Sequence, residues 1–421
     1  MFTTHTKEFT LPYGKTLVRF KLLEKNVMGT LLPKKVSPSK NEHTLIINAL
    51  NSPIESPLLS DIVSPKSKVA LITSDVTRVV PSHKLIPPII QQLRLAGVKR
   101  ENISIIFALG VHRKHTPDEQ KRLLSKNIYG QYRVIDHSIE DCLDMGKTKN
   151  GIPVQIFRPV AEADIRVCIG NIEPHYFAGY TGGAKSIMPG VSSRESVSFT
   201  HKLMLLPGSI AGKLEGNPTR EAIEEVGEAV GINFILNVIL NSKKQIVGVV
   251  AGDRIAAHRK GCSYADECFK VPIKQQADVV IVSPGGYPKD ISVYQAQKAL
   301  ENAKYAVRER GTIILVAECI EGFGDKIFEQ WMLEATSFME PVERLKKEFI
   351  LGGHKAAAIG MLLEKIKVIM VSSLSDKKVK ELFFTPAKSV DEAISMSLQE
   401  YGQDASFLII PFGGITLPSL D

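Results

Sequence analysis

The sequence predicts an α/β protein of two domains, each a mostly parallel sheet flanked by helices. Three observations lead there. Apolar runs rich in Val and Ile alternate with amphipathic stretches of helical spacing. The alternation runs as two series, parted by the polar segment 272–276 (PIKQQ). The chain has 421 residues, more than one hydrophobic core usually sustains.

The opening segment around Leu17, Phe20 and Leu22 reads as β-structure. Residues 67–73 (SKVALIT) have the short, β-branched character of a buried strand. After a polar loop, Ser82–Ala96 shows helical spacing, with Ile86, Ile89, Ile90 and Leu93 on one stripe and Gly97 just past the end. Residues 103–110 form the next strand. Thr116-Pro117-Asp118-Glu119 is a capping box with proline at the first helical position, so a helix starts there. Residues 132–136 and 164–170 are further strands, and Ser192-Ser193-Arg194-Glu195 reads as a second capping box whose helix begins at Ser193 and carries His201. In the second series, 278–283 is a strand, Ser292–Val307 a helix and 312–317 a strand. Helical stretches then lead to strand 367–372, another helix and strand 406–411. Strand, helix, strand in this order implies parallel strands with right-handed crossovers, a Rossmann-like arrangement. The expected division is 1–273 for the domain bearing the chemistry and 274–405 for an α/β domain closing the cleft, with the tail 406–421 a candidate to pack back on the first.

Composition excludes several classes. Hydrophobic content of 44% and charged content of 23% are ordinary for a soluble globular chain. The net charge of +8 is spread without an arginine-rich run, and aromatics are only 7%, so no nucleic-acid face is expected. The positive balance reads first as a lysine-rich solvated surface and secondly as a field favouring an anionic ligand such as a carboxylate or phosphate. Five Cys, an odd number with no C-x-x-C pair, argue against a disulfide framework and for a reducing compartment. Neither a signal-like N-terminus nor an 18-residue apolar stretch is present, so a cytoplasmic protein without membrane association is expected.

In doubly wound sheets, ligands bind beyond the carboxyl ends of strands. Four loops there carry candidate chemistry. The segment 171–190 holds Gly179, Gly182, Gly183 and Gly190 around Lys185. Glycines let a backbone approach a ligand closely, and Lys185 can bind phosphate, act as a base or form a covalent adduct. A nucleoside-triphosphate loop fails, because Ala184 stands where its second glycine belongs. His112 and His175 each follow a strand. In one sheet such a pair can act as acid and base on opposite sides of a substrate, which suits inversion of a stereocentre. Arg78, between a strand and a helix, can grip a carboxylate. Tyr294 and Lys298 are four apart on one helix face. No spacing of His, Cys or carboxylates reveals a metal site unaided.

Together these loops form a pattern. Residues 74–83 (SDVTRVVPSH), 108–116 (ALGVHRKHT), 170–190 (GNIEPHYFAGYTGGAKSIMPG), 199–201 (FTH), 251–262 (AGDRIAAHRKGC) and 285–298 (GGYPKDISVYQAQK) resemble the lactate racemase family of nickel-pincer nucleotide-dependent 2-hydroxyacid racemases and epimerases. The resemblance implies a pyridinium mononucleotide carrying nickel, made by dedicated cofactor-synthesis enzymes and attached covalently to Lys185. It implies His201 as the protein's nickel ligand, His112 and His175 as the acid/base pair, and Arg78 and Lys298 as holders of the substrate carboxylate. Asp75, Thr77, Gly182, Gly183, Tyr294 and Gln295 would line the cofactor pocket. The implied reaction passes a hydride from a 2-hydroxy acid to the cofactor and back through a 2-keto acid. One protein histidine suffices when the cofactor brings the other donors, which suits square-planar nickel. Two other functions share the scaffold: a lyase or isomerase that uses Lys185 and the histidines without nickel, and a non-catalytic ligand-binding relative. The retained histidines and Lys185 favour the racemase over the latter. The chain also departs from the family pattern: Val76 and Val79 replace a His and a Pro, and Gly353-His354-Lys355 replaces a Gln-Trp pair that lines the pocket. His354 or Lys355 there points to a bulkier or more anionic substrate than lactate.

Overall fold

The computed structural model describes residues 5–420. The chain divides into two compact units: 35–268, and the segment up to Lys34 together with Phe269 onward.

The 35–268 unit is built on a six-stranded sheet in the order Ile246–Gly252, Phe234–Leu240, Ile165–Asn171, Val69–Ser74, Ile103–Ala108, Arg133–Asp136. All neighbours are parallel except the first pair. Alternate side chains face opposite sides of a strand. One set here, including Val69, Leu71, Ile103, Ile105, Phe107, Val167 and Ile169, packs with Leu85, Ile86, Ile89 and Leu93 of the helix Ser82–Leu95. The other set, including Ala70, Ile72, Ile106 and Cys168, is also buried. Burial on both faces is why these strands read as continuous apolar runs. The predicted Thr116–Glu119 box caps the helix Pro117–Leu124.

The other unit has a six-stranded, wholly parallel sheet: Thr385–Ala387, Lys367–Val371, Val307–Val316, Ala277–Val282, Phe407–Ile410, Val27–Thr30. The hairpin Thr6–Tyr13/Thr16–Leu23 places Leu11, Phe20 and Leu22 in its core with Val279, Ile281, Val390 and Ala393.

Three expectations are corrected. The opening β-segment belongs with the second unit, because Val27–Thr30 pairs with Phe407–Ile410. The tail stays in that unit too: Phe407–Ile410 lies beside Ala277–Val282, and Leu417–Leu420 pairs with Lys270–Ile273, which draws the division back to Phe269. The helix expected to reach Val307 ends at Ala303. Val307 instead pairs with Ala277 and opens the strand Val307–Val316. In each case a backbone ladder to a distant strand overrides the local pattern. Among the described residues no helix is long and apolar enough to cross a membrane.

Candidate active site

Three adjacent strands of the 35–268 sheet, Ile165–Asn171, Val69–Ser74 and Ile103–Ala108, release their loops at the same carboxyl edge. Those loops carry Lys185 and His175, Asp75 and Arg78, and His112. The amide of Gly110 donates to the carbonyl of Gly190 at 2.9 Å, so the His112 loop is tied to the end of the glycine loop.

Lys185 sits on a single 3-10 turn, Gly183–Ser186. Gly182 has φ +78°, and a Cβ there would lie 2.7 Å from Ile172 Cγ1 and 2.8 Å from Asn237 Oδ1. Its absence lets Gly183 N–H donate to Asn237 Oδ1 at 2.8 Å. The loop has few ladder partners, so its carbonyls are satisfied from behind by side chains. Asn217 Nδ2 donates to Phe177 O at 3.1 Å, and His258 Nε2 donates to Thr181 O at 2.9 Å. Arg220, fully buried, donates through Nε to Ala178 O at 3.1 Å and through Nη2 to Tyr180 O. Burial lowers the Arg220 guanidinium to about 10, so it remains a cation near neutral pH.

Phe177 gathers the front of the loop. Its buried ring lies edge-on to His175 at 4.6 Å and to His201 at 5.4 Å, with Lys185 Nζ 5.8 Å away. Burial, and then the charges of Arg78 and Arg220, hold the Lys185 amine well below its usual range, against the opposing pull of Glu173. A neutral amine is the nucleophilic form. His175 is likewise pushed well down by burial, followed by Lys185, Arg78 and His201. Its Nδ1 accepts from Ala178 N–H at 3.3 Å, which puts the ring proton on Nε2.

His201 lies on the helix Arg194–Lys202. Its cap is Ser193, whose hydroxyl accepts from Ser196 N–H, and not the Ser192–Glu195 box that the sequence suggests. Ser192 Oγ donates to Ile187 O, while Glu195 accepts from Gln155. The His201 Nδ1–H donates to Val197 O at 3.0 Å. The lone pair is therefore on Nε2, the arrangement of a metal-ligating imidazole. Burial and the nearby Lys185 lower its pKa to about 3, so it stays unprotonated. Among the described residues no three His, Cys, Asp or Glu side chains form a metal cage. A metal beside His201 would need donors brought by a ligand.

The third loop supplies a base. His112 Nδ1 lies 2.5 Å from Asp75 Oδ2, and Asp75 Oδ1 accepts from Thr77 N–H at 2.9 Å and Thr77 Oγ at 2.6 Å. Burial resists ionisation of Asp75, but His112, Thr77 and Arg78 together outweigh it and lower its pKa. The carboxylate holds the proton on His112 Nδ1 and leaves Nε2 as an acceptor. In the neutral rings, His112 Nε2 is thus an acceptor and His175 Nε2 a donor.

Of the predicted residues, Asp75, Thr77, Arg78, His112, His175, Gly182, Gly183, Lys185 and His201 all belong to this edge of one unit. Tyr294, Gln295 and Lys298 lie on the helix Val293–Ala303 of the other unit. Gln295 and Lys298 are exposed there. Lys355, expected to address the substrate, is buried, donates to the Tyr294 carbonyl and lies 3.9 Å from the Tyr294 ring centre. His354 is buried too, its Nδ1 accepting from Gly352 N–H at 3.2 Å. Sequence reasoning missed Phe177, Arg220 and Asn237. The dense FAGYTGGAK run was the only signal for the first, and the other two act on backbone groups far away in sequence.

Residues 13–212 match the lactate racemase N-terminal domain and residues 273–417 the lactate racemase C-terminal domain. The lactate racemase of Thermoanaerobacterium thermosaccharolyticum is 33% identical over 96% of this chain and 97% of its own length. The chain belongs to the lactate racemase family. The lactate racemase of Lactiplantibacillus plantarum is 30% identical over the same shares. The structure of the Thermoanaerobacterium lactate racemase apoprotein superimposes with a TM-score of 0.89 at 31% identity, covering 98% of this chain and all of that one. A Thermotoga maritima protein with a TM-score of 0.64 and 18% identity covers 92% of this chain and all of its own, a likeness of fold alone. Membership makes the chain an enzyme of the isomerase class, a racemase with a small-molecule substrate.

Proposed function

We propose that this racemase inverts a 2-hydroxy acid, lactate or a larger or more anionic analogue, in the cytoplasm, through a 2-keto acid and with a nickel-pincer nucleotide attached to Lys185. The observation that carries this reading is the gathering of Lys185, His175 and His201 around Phe177, with burial and the Arg78 and Arg220 charges holding the lysine pKa well below its usual range. The residues fit the cofactor. A lysine amine can condense with a thioacid to a thioamide, with water leaving. One imidazole of fixed tautomer can complete a metal whose other donors the nucleotide brings. When bound, the cofactor supplies reversible hydride acceptance at the substrate Cα.

The chain's own groups do the remaining work. Arg78 holds the substrate carboxylate as a charge-assisted pair. Lys298, in the other unit, is assigned the same task from sequence alone, with Tyr294 and Gln295 as cofactor neighbours. Asp75 and Thr77 border the cofactor pocket beside Gly182 and Gly183. His112 Nε2 accepts the hydroxyl proton of one enantiomer. His175 Nε2–H gives its proton to the product hydroxyl oxygen on the opposite face, and the proton taken up by His112 passes back through solvent to restore His175; in the reverse direction the two exchange roles.

Mass spectrometry of protein produced beside the cofactor-synthesis enzymes tests the reading. A nucleotide-sized adduct mapped to Lys185, absent in Lys185→Ala, is the expected result. An unmodified Lys185 in a preparation that racemises 2-hydroxy acids would overturn it.

A further inference from the structure

Beyond the groups the proposed reaction uses, the same edge holds one more histidine whose hydrogen bonding has a single sense. The His115 side chain is fully buried. Its Nε2 accepts from Val76 N–H at 3.0 Å. An amide can only donate, so Nε2 bears the lone pair, and the proton on Nδ1 goes to Asp136 Oδ1 at 2.8 Å. Asp136 Oδ1 also accepts from Gln120 Nε2 at 2.9 Å, and Oδ2 accepts from the His115 amide at 2.7 Å. The Phe107 ring lies edge-on at 4.7 Å.

What this histidine grips is a tight turn. Arg78 N–H donates to Asp75 O at 3.1 Å, and Thr77 N–H to Asp75 Oδ1. Val76 is the second residue of that turn, where the N–H has no partner inside the turn. His115 supplies the partner. The residue before Val76 is Asp75, whose other carboxylate oxygen holds His112. Two residues after Val76 is Arg78.

We propose that His115 is a positioning residue, fixed by Asp136 in the tautomer that pins the Asp75–Arg78 turn and so aims Asp75 at His112. The proposal rests on the reading of His112 as an acid/base group. Its logic is directional. Were the His115 proton on Nε2, two donors would face each other at Val76, and the turn would have to move. A misplacement of about 1 Å in catalytic geometry can cost about 10²-fold in rate.

Three variants test it: His115→Leu removes the acceptor, His115→Gln offers a carbonyl oxygen to Val76 N–H, and Asp136→Asn keeps the size. Three donors converge on the two Asp136 oxygens, so an amide NH₂ must oppose one of them whichever way it turns. The first readout needs no cofactor. A ring N–H bonded to carboxylate gives a far-downfield proton NMR signal, assigned to His112 by its loss in His112→Ala. That signal should vanish or weaken in His115→Leu and Asp136→Asn and survive in His115→Gln. In the cofactor-loaded enzyme, kcat should fall about 10²-fold in the first two, with a smaller change in KM, and recover in part with Gln. Retention of both the signal and kcat in a folded His115→Leu would overturn the proposal. Should that variant fail to fold, Asp136→Asn decides on the same readouts. A lost signal with unchanged kcat would uphold the positioning and overturn the acid/base role of His112 instead.

Discussion

Two loops at one sheet edge are held in place by opposite means. The glycine loop is gripped from behind, where Arg220, Asn217, Asn237 and His258 take up its backbone groups inside the fold. The Asp75–Arg78 turn is partly open to solvent, with Thr77 and Arg78 exposed, and is held by side chains whose effect depends on which ring nitrogen carries a proton. The first grip is mechanical and shared with the core, so breaking it should cost stability. The second is electronic, so breaking it should cost rate while the protein stays folded.

The largest effect should come from the mechanical side. Arg220→Met strands the carbonyl of Tyr180 and leaves that of Ala178 to the Tyr180 amide alone, so urea unfolding should show a loss of about 1–3 kcal/mol, the cost of one unsatisfied group. Arg220→Lys should restore little, because one ammonium lacks the fork that reaches both carbonyls. A change below about 1 kcal/mol, within the net worth of one ordinary hydrogen bond, would erase the distinction drawn between the two loops.

His112→Ala probes the electronic side. Racemisation should slow by about 10²–10⁴-fold, equally in both directions because the equilibrium constant between enantiomers is fixed, while thermal melting moves little. Pre-steady-state mixing with each pure enantiomer should show the two directions unequally impaired, with His175→Ala showing the reverse preference. Equal half-reactions in both variants would remove the two-base assignment.

The smallest effect sharpens the comparison within the glycine loop itself. The native Lys185 amine binds its proton less tightly than the unfolded chain does, its pKa lying well below the ordinary 10.5. Between those two values the unfolded state holds more protons, so stability of the cofactor-free protein rises with pH across that window. Lys185→Met should lose that slope. Parallel stability–pH curves for the two proteins would mean that the amine is not held neutral.

Two local signals are legible in the sequence. The Thr116–Glu119 box and the Ile86–Leu93 stripe depend only on neighbours within a turn or two, and both stand where the pattern puts them. Sharing of one carboxyl edge by Asp75, Arg78, His112, His175 and Lys185 follows from the alternation of strands and loops. The backing of the site was not legible. Arg220 acts on carbonyls some forty residues away, and His115 on an amide 39 residues away. A side chain bonded to a backbone group leaves no mark on the partner's residue type. Nor could a four-residue strand such as Val27–Thr30 announce its partner at the opposite end of the chain.

That last pairing also orders the protein's birth. Residues 35–268 emerge as one uninterrupted stretch, so their sheet can close while the ribosome is still at work. Val27–Thr30 leaves the ribosome first of all the strands in its sheet, yet its sole neighbour there, Phe407–Ile410, is made some 380 residues later. At about 5–20 residues per second, the interval is about 20–80 s. For that time the leading strand waits with an open edge, so the first-made strand of that sheet is among the last to be built into it.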